Sequence, residues 1–377
     1  MKVGVDLRTV RQGMTGVGQY TWRLARALLE TPSEHEIHAF FQRKGADPWA
    51  EKANELGAQV SRWSLSTESH PWCDLWEQSE LPLWLDCKGF DVFLSGTFLL
   101  PWWSFRVKRV FVLHDLIAFL YPQTMPARFA QYSRWQTRCS SKWASGIVCN
   151  SWNTLRDLAR WVPGAEEKAV VIYAGMEEGS VPDAPIKGPQ DKRSEAAWSD
   201  KPFFLAVGTD PRKNLSFLVQ AYLDARERCP DLPRLVIVGG ETEESGKIRD
   251  YTRERSAEGL VCMPGYLSDD QLSLAYDKAD LLLFPSLYEG FGYPPLEAMR
   301  AGTPVLSSDR GSIAEVVGDA GILLDAGDPA AWRDSMVRIW RDKEWREQWV
   351  QRGGERVKAF SLERTAARIM QALEGWR

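Results

Sequence analysis

The chain has 377 residues, 44% of them hydrophobic and 26% charged, with a net charge of −4. The length suits two domains of ordinary size, and the composition is that of a soluble globular chain. No window reaches ~18 uninterrupted apolar residues, which excludes a transmembrane helix, and MKVGVDLRTV at the start lacks the apolar core of a signal peptide.

Residues 2–7 (KVGVDL) read as the first strand. A glycine loop follows from Gly13, ending in Thr15-Gly16-Val17-Gly18, and Tyr20 to Leu29 reads as an amphipathic helix. Strand, glycine loop and helix form a phosphate-type arrangement, because N–H groups at a helix start attract anions. The spacing is not the G-x-G-x-x-G dinucleotide fingerprint. Segments 36–41, 60–66, 90–96 and 107–115 read as further strands, with a tryptophan-rich helix over 71–85. His114 closes the strand 107–115, at the carboxyl edge where open parallel sheets bind ligands. A histidine satisfied within the core is the competing reading. A metal site is not indicated, since no second ligand lies at helical or hairpin spacing.

Residues 125–143 read as a helix on which Arg128, Arg134, Arg138 and Lys142 recur near three- or four-residue spacing, with Trp135 and Trp143 close to that face. Residues 101–142 carry seven basic side chains against one acid, Asp115, with Trp102, Trp103 and Phe105 nearby. Residues 1–175 hold 20 Lys/Arg against 17 Asp/Glu, and the remainder 27 against 34. The first half is therefore the side to meet anionic lipid or a phosphorylated acceptor. The basic-aromatic stretch fits a helix lying on an anionic membrane, or a basic floor for a pyrophosphate-linked lipid. No nucleic-acid module accompanies it, so nucleic acid is not expected as a partner. Of the 18 tryptophans, some suit sugar stacking or a membrane interface and many suit plain core.

Segment 146–151 reads as a strand, 153–160 as a helix capped by Asn150 or Ser151, and 169–175 as the strand closing the first sheet. The polar run 176–200, with three prolines and two glycines, reads as a linker. Cys73, Cys87, Cys139, Cys149, Cys229 and Cys262 form no C-x-x-C pair, so reduced thiols of a cytoplasmic protein fit best.

The second half begins with a strand over 202–208, a loop over 209–214 and a helix over 215–228. Arg212 and Lys213 thus stand just before a helix N-terminus at the carboxyl end of a strand, which strengthens an anion site. Segments 234–240 and 260–265 read as strands, the latter running into Gly265-Tyr266. ADLLLFPS (279–286) is a continuous apolar run, suited to a strand buried on both faces. Glu289-Gly290-Phe291-Gly292 follows as a loop, Pro294-Pro295 opens a helix over 296–301, and Gly302 and Pro304 stop it. Then come a strand from Val305, a helix over 311–318, a strand over 322–325, and helices over 330–340, beyond 344 and near 362–375. Glu289 and Glu297 flank a glycine loop whose N–H groups suit phosphate, while carboxylates accept hydrogen bonds from vicinal hydroxyls. Phosphate donors beside hydroxyl acceptors are what a nucleotide sugar needs.

Glu289, Phe291, Gly292, Pro294 and Glu297 together resemble the signature of the family 4 glycosyltransferases, and residues 265–286 resemble that family's approach to it. The resemblance covers the whole chain, most strongly 203–325. It implies the α/β fold called GT-B, with two Rossmann-like doubly wound parallel-sheet domains facing a central cleft. On that reading residues 1–175 bind the acceptor, 176–200 link, 201–361 bind the nucleotide sugar, and 362–377 form a helix crossing back to the first domain.

The resemblance also implies roles. His114 reaches the transferred sugar, Arg212 and Lys213 face the donor diphosphate, and Glu289 orients sugar hydroxyls. Gly16, Gly18, Gly208, Gly290, Phe291, Gly292 and Tyr293 line the donor, Gly265 and Tyr266 hold its base, and Glu297 accepts from the ribose. Thr209 stands where many members have an arginine, and Arg212 takes that role. Tyr293 and Arg300 stand where smaller or aliphatic residues are commoner and serve to tune the donor. The implied reaction retains anomeric configuration by same-face attack, with the leaving phosphate taking the acceptor proton and with no metal or other cofactor. It moves a hexose, by preference mannose from GDP-mannose, to a lipid-linked or saccharide acceptor in polysaccharide or glycolipid synthesis. The place is the cytoplasm, at the inner membrane face. A UDP-hexose enzyme with a soluble acceptor, a nucleotide-sugar epimerase and a non-catalytic sugar-binding protein are the alternatives. Radiolabelled donor separates transfer, epimerisation and neither.

Overall fold

The computed structural model describes the chain apart from residues 12–13, 43–46, 64–71, 177–200 and 377. It divides into two units, Met1–Glu178 with Phe360–Arg377, and Gly179–Ala359. Apart from Met176, the stretch expected to link them lies outside the described residues.

The first unit runs β1 (Lys2–Asp6), α1 (Gly16–Glu30), β2 (Glu36–Gln42), α2 (Asp47–Glu55), β3 (Gln59–Trp63), α3 (Trp72–Cys87), β4 (Val92–Ser95), β5 (Lys108–Leu113), α4 (Ile117–Leu120), α5 (Ala127–Trp143), β6 (Gly146–Cys149), α6 (Trp152–Trp161) and β7 (Ala169–Val171). Its seven strands are parallel, in the order β3-β2-β1-β4-β5-β6-β7. Parallel neighbours need crossover connections, so helices cover both faces. The order reverses between β1 and β4, which pair with Asp6 opposite Ser95. Such a reversal opens a crevice at the carboxyl edge.

α1 starts at Gly16, earlier than the loop reading placed it. Neither Gly16 nor Gly18 has positive φ. A Cβ on Gly18 would lie 2.6 Å from Thr9 O and 2.8 Å from Met14 Cβ. Close approach of the preceding loop, and not a turn, is what requires glycine there. Ser151 is the cap of α6, its Oγ accepting from Thr154 N at 3.0 Å, which settles the choice against Asn150.

The second unit runs β8 (Phe203–Val207), α7 (Leu215–Arg228), β9 (Arg234–Val238), α8 (Glu243–Glu254), β10 (Val261–Gly265), α9 (Asp269–Lys278), β11 (Leu281–Phe284), α10 (Tyr293–Arg300), β12 (Val305–Ser308), α11 (Ile313–Val317), β13 (Ile322–Leu324), α12 (Pro329–Arg341) and α13 (Lys343–Val357). Its six parallel strands take the order β10-β9-β8-β11-β12-β13. Alternate residues of β11 feed opposite layers. Leu281 and Leu283 pack in one core with Phe204 and Leu235, while Leu282 and Phe284 pack in the other with Phe203, Leu205 and Val236. That two-sided burial is why the strand is apolar throughout.

A last helix, α14 (Leu362–Gly375), belongs to the first unit. Thr365 Oγ1 donates to Tyr173 O at 2.7 Å and accepts from Gly175 N at 2.7 Å. Met176 pairs with Ser361 as an isolated parallel bridge. A Cβ on Gly146 would run into the Trp376 indole. Trp49 and Trp332 are fully buried, and Arg338 and Arg352 lie over the rings of Trp345 and Trp349.

Candidate active site

In the second unit two loops meet at the carboxyl edge of the sheet. One follows β8. Gly208 has φ +92°, and a Cβ there would come within 2.7 Å of Lys213 Cε, so glycine lets the lysine run back over the strand end. Asp210 opens a short 3₁₀ turn over Pro211–Lys213 and accepts from Arg212 N at 3.1 Å. The same carboxylate takes Arg212 Nε at 2.9 Å and Nη2 at 3.2 Å. Burial alone would raise the Asp210 pKa, but the Arg212 hydrogen bonds and the charges of Arg212 and Lys213 outweigh it and hold the carboxyl below its usual range. Asn214 then sits in the left-handed region and leads into α7.

The second loop follows β11. Leu287 N donates to Arg212 O at 2.8 Å, which ties the two loops together. Lys213 Nζ donates to Glu289 Oε1 at 2.7 Å, and its ammonium stands 4.6 Å from the Phe284 ring centroid. Gly292, at φ 99°, turns the chain into α10, whose first turn holds Tyr293, Pro294 and Pro295. Ser312, fully buried, reaches back to this loop with its Oγ 2.8 Å from both Glu289 O and Phe291 O. Gly311 allows the close approach, since its Cβ would lie 3.2 Å from Glu289 O.

The predicted residues Gly208, Arg212, Lys213, Glu289, Gly290, Phe291 and Gly292 thus gather at one edge. Arg212 pairs with Asp210, not Glu289, so its position is set from its own loop. Tyr293 is buried with its ring edge-on to Phe291 at 4.9 Å. Glu297, one turn into α10, lies near Asp269 of α9. Burial first, then the charges of Glu297 and Asp270, raise the Asp269 pKa. Gly265 has φ +88°, and Tyr266 after it is 68% exposed.

In the first unit, His114 follows β5 directly. Its Nε2 lies 2.8 Å from Gly96 O. A carbonyl only accepts, so Nε2 carries the proton and Nδ1 is the acceptor. The ring sits edge-on to Tyr20 at 5.1 Å, which ties it to α1, the helix that Gly16 and Gly18 begin. Burial, against the pull of Gly96 O and Asp115, holds His114 below its ordinary pKa, so the imidazole is neutral near pH 7.

Several neighbours escaped the sequence reading. Asp210 carries a recognisable signal, an Asp before proline that caps its own turn. Ser312 and Phe284 become visible only when distant strands pair. Asp6 and Arg8, 4% and 3% exposed, form an ion pair at the end of β1, with Arg8 Nε 2.8 Å from Asp6 Oδ1. Among the described residues no three His, Cys, Asp or Glu side chains gather as metal ligands.

The basic helix is split by the fold. Arg134 and Arg138 both lie over the Phe119 ring, but only Arg134 also turns its Nε to donate to Ala118 O, at 2.6 Å, and so leaves the predicted outward stripe. Arg128, Arg138 and Lys142 remain exposed on α5.

Two family models match. Residues 14–178 match "Glycosyltransferase Family 4" and residues 189–356 match "Glycosyl transferases group 1". An O-antigen chain mannosyltransferase B of Escherichia coli is 27% identical, over 99% of both chains. A phosphatidyl-myo-inositol mannosyltransferase of Mycobacterium leprae is 33% identical over 58% of this chain and 57% of its own. Among solved structures, a sucrose-phosphate synthase from Thermosynechococcus elongatus superposes with a TM-score of 0.76 at 21% identity, covering 100% of this chain and 98% of that one.

Proposed function

This chain belongs to the family 4 glycosyltransferases, with the GT-B fold and a nucleotide-sugar donor, and we propose that it transfers mannose from GDP-mannose to a lipid-linked or saccharide acceptor in polysaccharide synthesis. The observation that carries the reading is the Lys213–Glu289 pair at 2.7 Å, set between two glycine turns at the carboxyl edge of the second sheet. As the sugar leaves the donor, the diphosphate gains negative charge and the anomeric carbon becomes cationic. Lys213 and Arg212 stabilise the departing charge, and preorganised groups do this without reorganising in the transition state. Glu289 accepts from sugar hydroxyls and Glu297 from the ribose. His114, neutral with its proton on Nε2, offers Nδ1 as an acceptor toward the transferred sugar. Attack comes from the face the diphosphate leaves, so configuration is retained. The two cations make a divalent metal unnecessary. Activity that survives excess EDTA agrees with this, and complete loss restored by added metal contradicts it.

The mannose choice follows from the names of the relatives that match. Radiolabelled GDP-mannose and UDP-hexoses, each incubated with extracted lipid-linked and free saccharide acceptors, test it. Transfer from GDP-mannose supports the proposal, and transfer from a UDP-hexose alone overturns the donor.

The lipid acceptor brings the protein to the cytoplasmic membrane face. No helix among the described residues is long and apolar enough to cross a membrane, so contact would be peripheral. Phe105 is 78%, Trp135 50% and Trp143 45% exposed, and Trp102 stands edge-on to Trp135 at 5.2 Å. Aromatic tips beside Arg128, Arg138 and Lys142 suit an anionic interface, at about 1 kcal/mol per basic residue. Sedimentation with anionic vesicles, lost at high salt and weakened in Arg128→Glu with Lys142→Glu, is the expected result. Equal sedimentation with neutral vesicles removes the membrane reading.

A further inference from the structure

The charge that a donor diphosphate needs is already answered within the protein. Lys213 Nζ donates to Glu289 Oε1 at 2.7 Å, and each side chain is 14% exposed. The ammonium also faces the Phe284 ring. Both charges lie largely out of water, so their attraction is weakly screened, and removing one leaves the other uncompensated. An anion arriving at Lys213 therefore competes with Glu289 for its N–H groups and is repelled by the same carboxylate.

We infer that Glu289 is an internal counter-anion that weakens nucleoside diphosphate binding at Lys213 and so favours the nucleotide sugar over the product. The inference rests on the donor reading above and deepens it. An intact donor brings hydroxyls that donate to the Glu289 carboxylate, which offsets part of the repulsion. The diphosphate left after transfer brings none. It faces the carboxylate uncompensated, and Glu289 retakes the ammonium as it departs. The same residue thus serves the sugar in one state and clears the site in the other, by differential affinity for the two.

The test is calorimetric titration of GDP, UDP and their bare nucleosides into wild type, Glu289→Gln, Lys213→Met and the double variant. Glu289→Gln binds its diphosphate about tenfold more tightly, about 1.4 kcal/mol. The gain is absent for the nucleoside and disappears in the Lys213→Met background, since both then report on the same pair. A Glu289→Gln affinity equal to or weaker than wild type overturns the inference, as does a gain that persists without Lys213. Circular dichroism identifies a variant that does not fold. Glu289→Asp, with its carboxylate one methylene further from Nζ, then carries the same test, with a smaller gain in the same direction required. A wild type that binds neither GDP nor UDP is a different failure, because it removes the donor reading itself and this inference with it.

Discussion

Ser312→Ala should uncouple stability from turnover in a measurable way. The Ser312 hydroxyl is fully buried and lies 2.8 Å from Glu289 O and Phe291 O. Alanine removes the donor and keeps most of the volume. Glu289 O retains a long contact from Ser312 N at 3.5 Å, whereas Phe291 O loses this partner. One buried acceptor deprived of its partner costs about 1–2 kcal/mol. In a unit of this size each kcal/mol lowers Tm by about 2–4 °C, so a drop of about 2–8 °C is expected. The larger effect falls on rate. The same loop sets the Glu289 carboxylate against Lys213, and a displacement near 1 Å at a reacting centre can cost about 10²-fold. Steady-state kinetics at a temperature well below both melting points should show kcat at least about tenfold down, with donor KM much less changed. A variant that melts lower yet turns over at the wild-type rate would refute the claim that Ser312 positions Glu289.

Two further outcomes concern the first unit. Burial and Lys2 hold His38 below the ordinary histidine value of 6.5, and burial does the same for His114. The unfolded chain therefore takes up protons first as pH falls through 6.5, so the stability present above that pH declines below it. Denaturant melts at about pH 7.5 and 5.5 should show this loss, and His38→Gln should narrow the difference. Thr365→Val removes both the donor to Tyr173 O and the acceptor for Gly175 N. It should cost about 1–3 kcal/mol and raise hydrogen exchange selectively in α14, and unchanged exchange would show that packing on α1 alone holds that helix.

Much of the architecture was legible because parallel sheets write themselves as apolar runs. β11 and β8 are buried on both faces, and α7 was read at its observed bounds because a proline-containing turn precedes it and a β-strand's length of loop follows. The phosphate-side residues were legible for the same reason, since Lys213 and Glu289 each lie in the loop that follows a buried strand. What escaped was direction and partnership. Gly16 and Gly18 read as loop because glycine signals both a turn and a close approach, and only the position of Thr9 O decides between them. Arg134 read as part of an outward stripe because helical spacing fixes the angle around the axis but not which neighbour waits there. Here that neighbour is the Ala118 carbonyl, on the short helix before it. Ser312 lies 23 residues from Glu289, and nothing local marks the pair before β11 and β12 align.

The central claim is that Lys213 carries the departing diphosphate charge of a sugar donor. Transfer of radiolabel from GDP-mannose to acceptor, measured for wild type and Lys213→Ala at saturating donor, tests it most directly. Removing one such charge-stabilising group should cost about 3 kcal/mol of barrier, so turnover should fall on the order of 10²-fold in a variant that remains folded. Near wild-type turnover in folded Lys213→Ala would contradict the account.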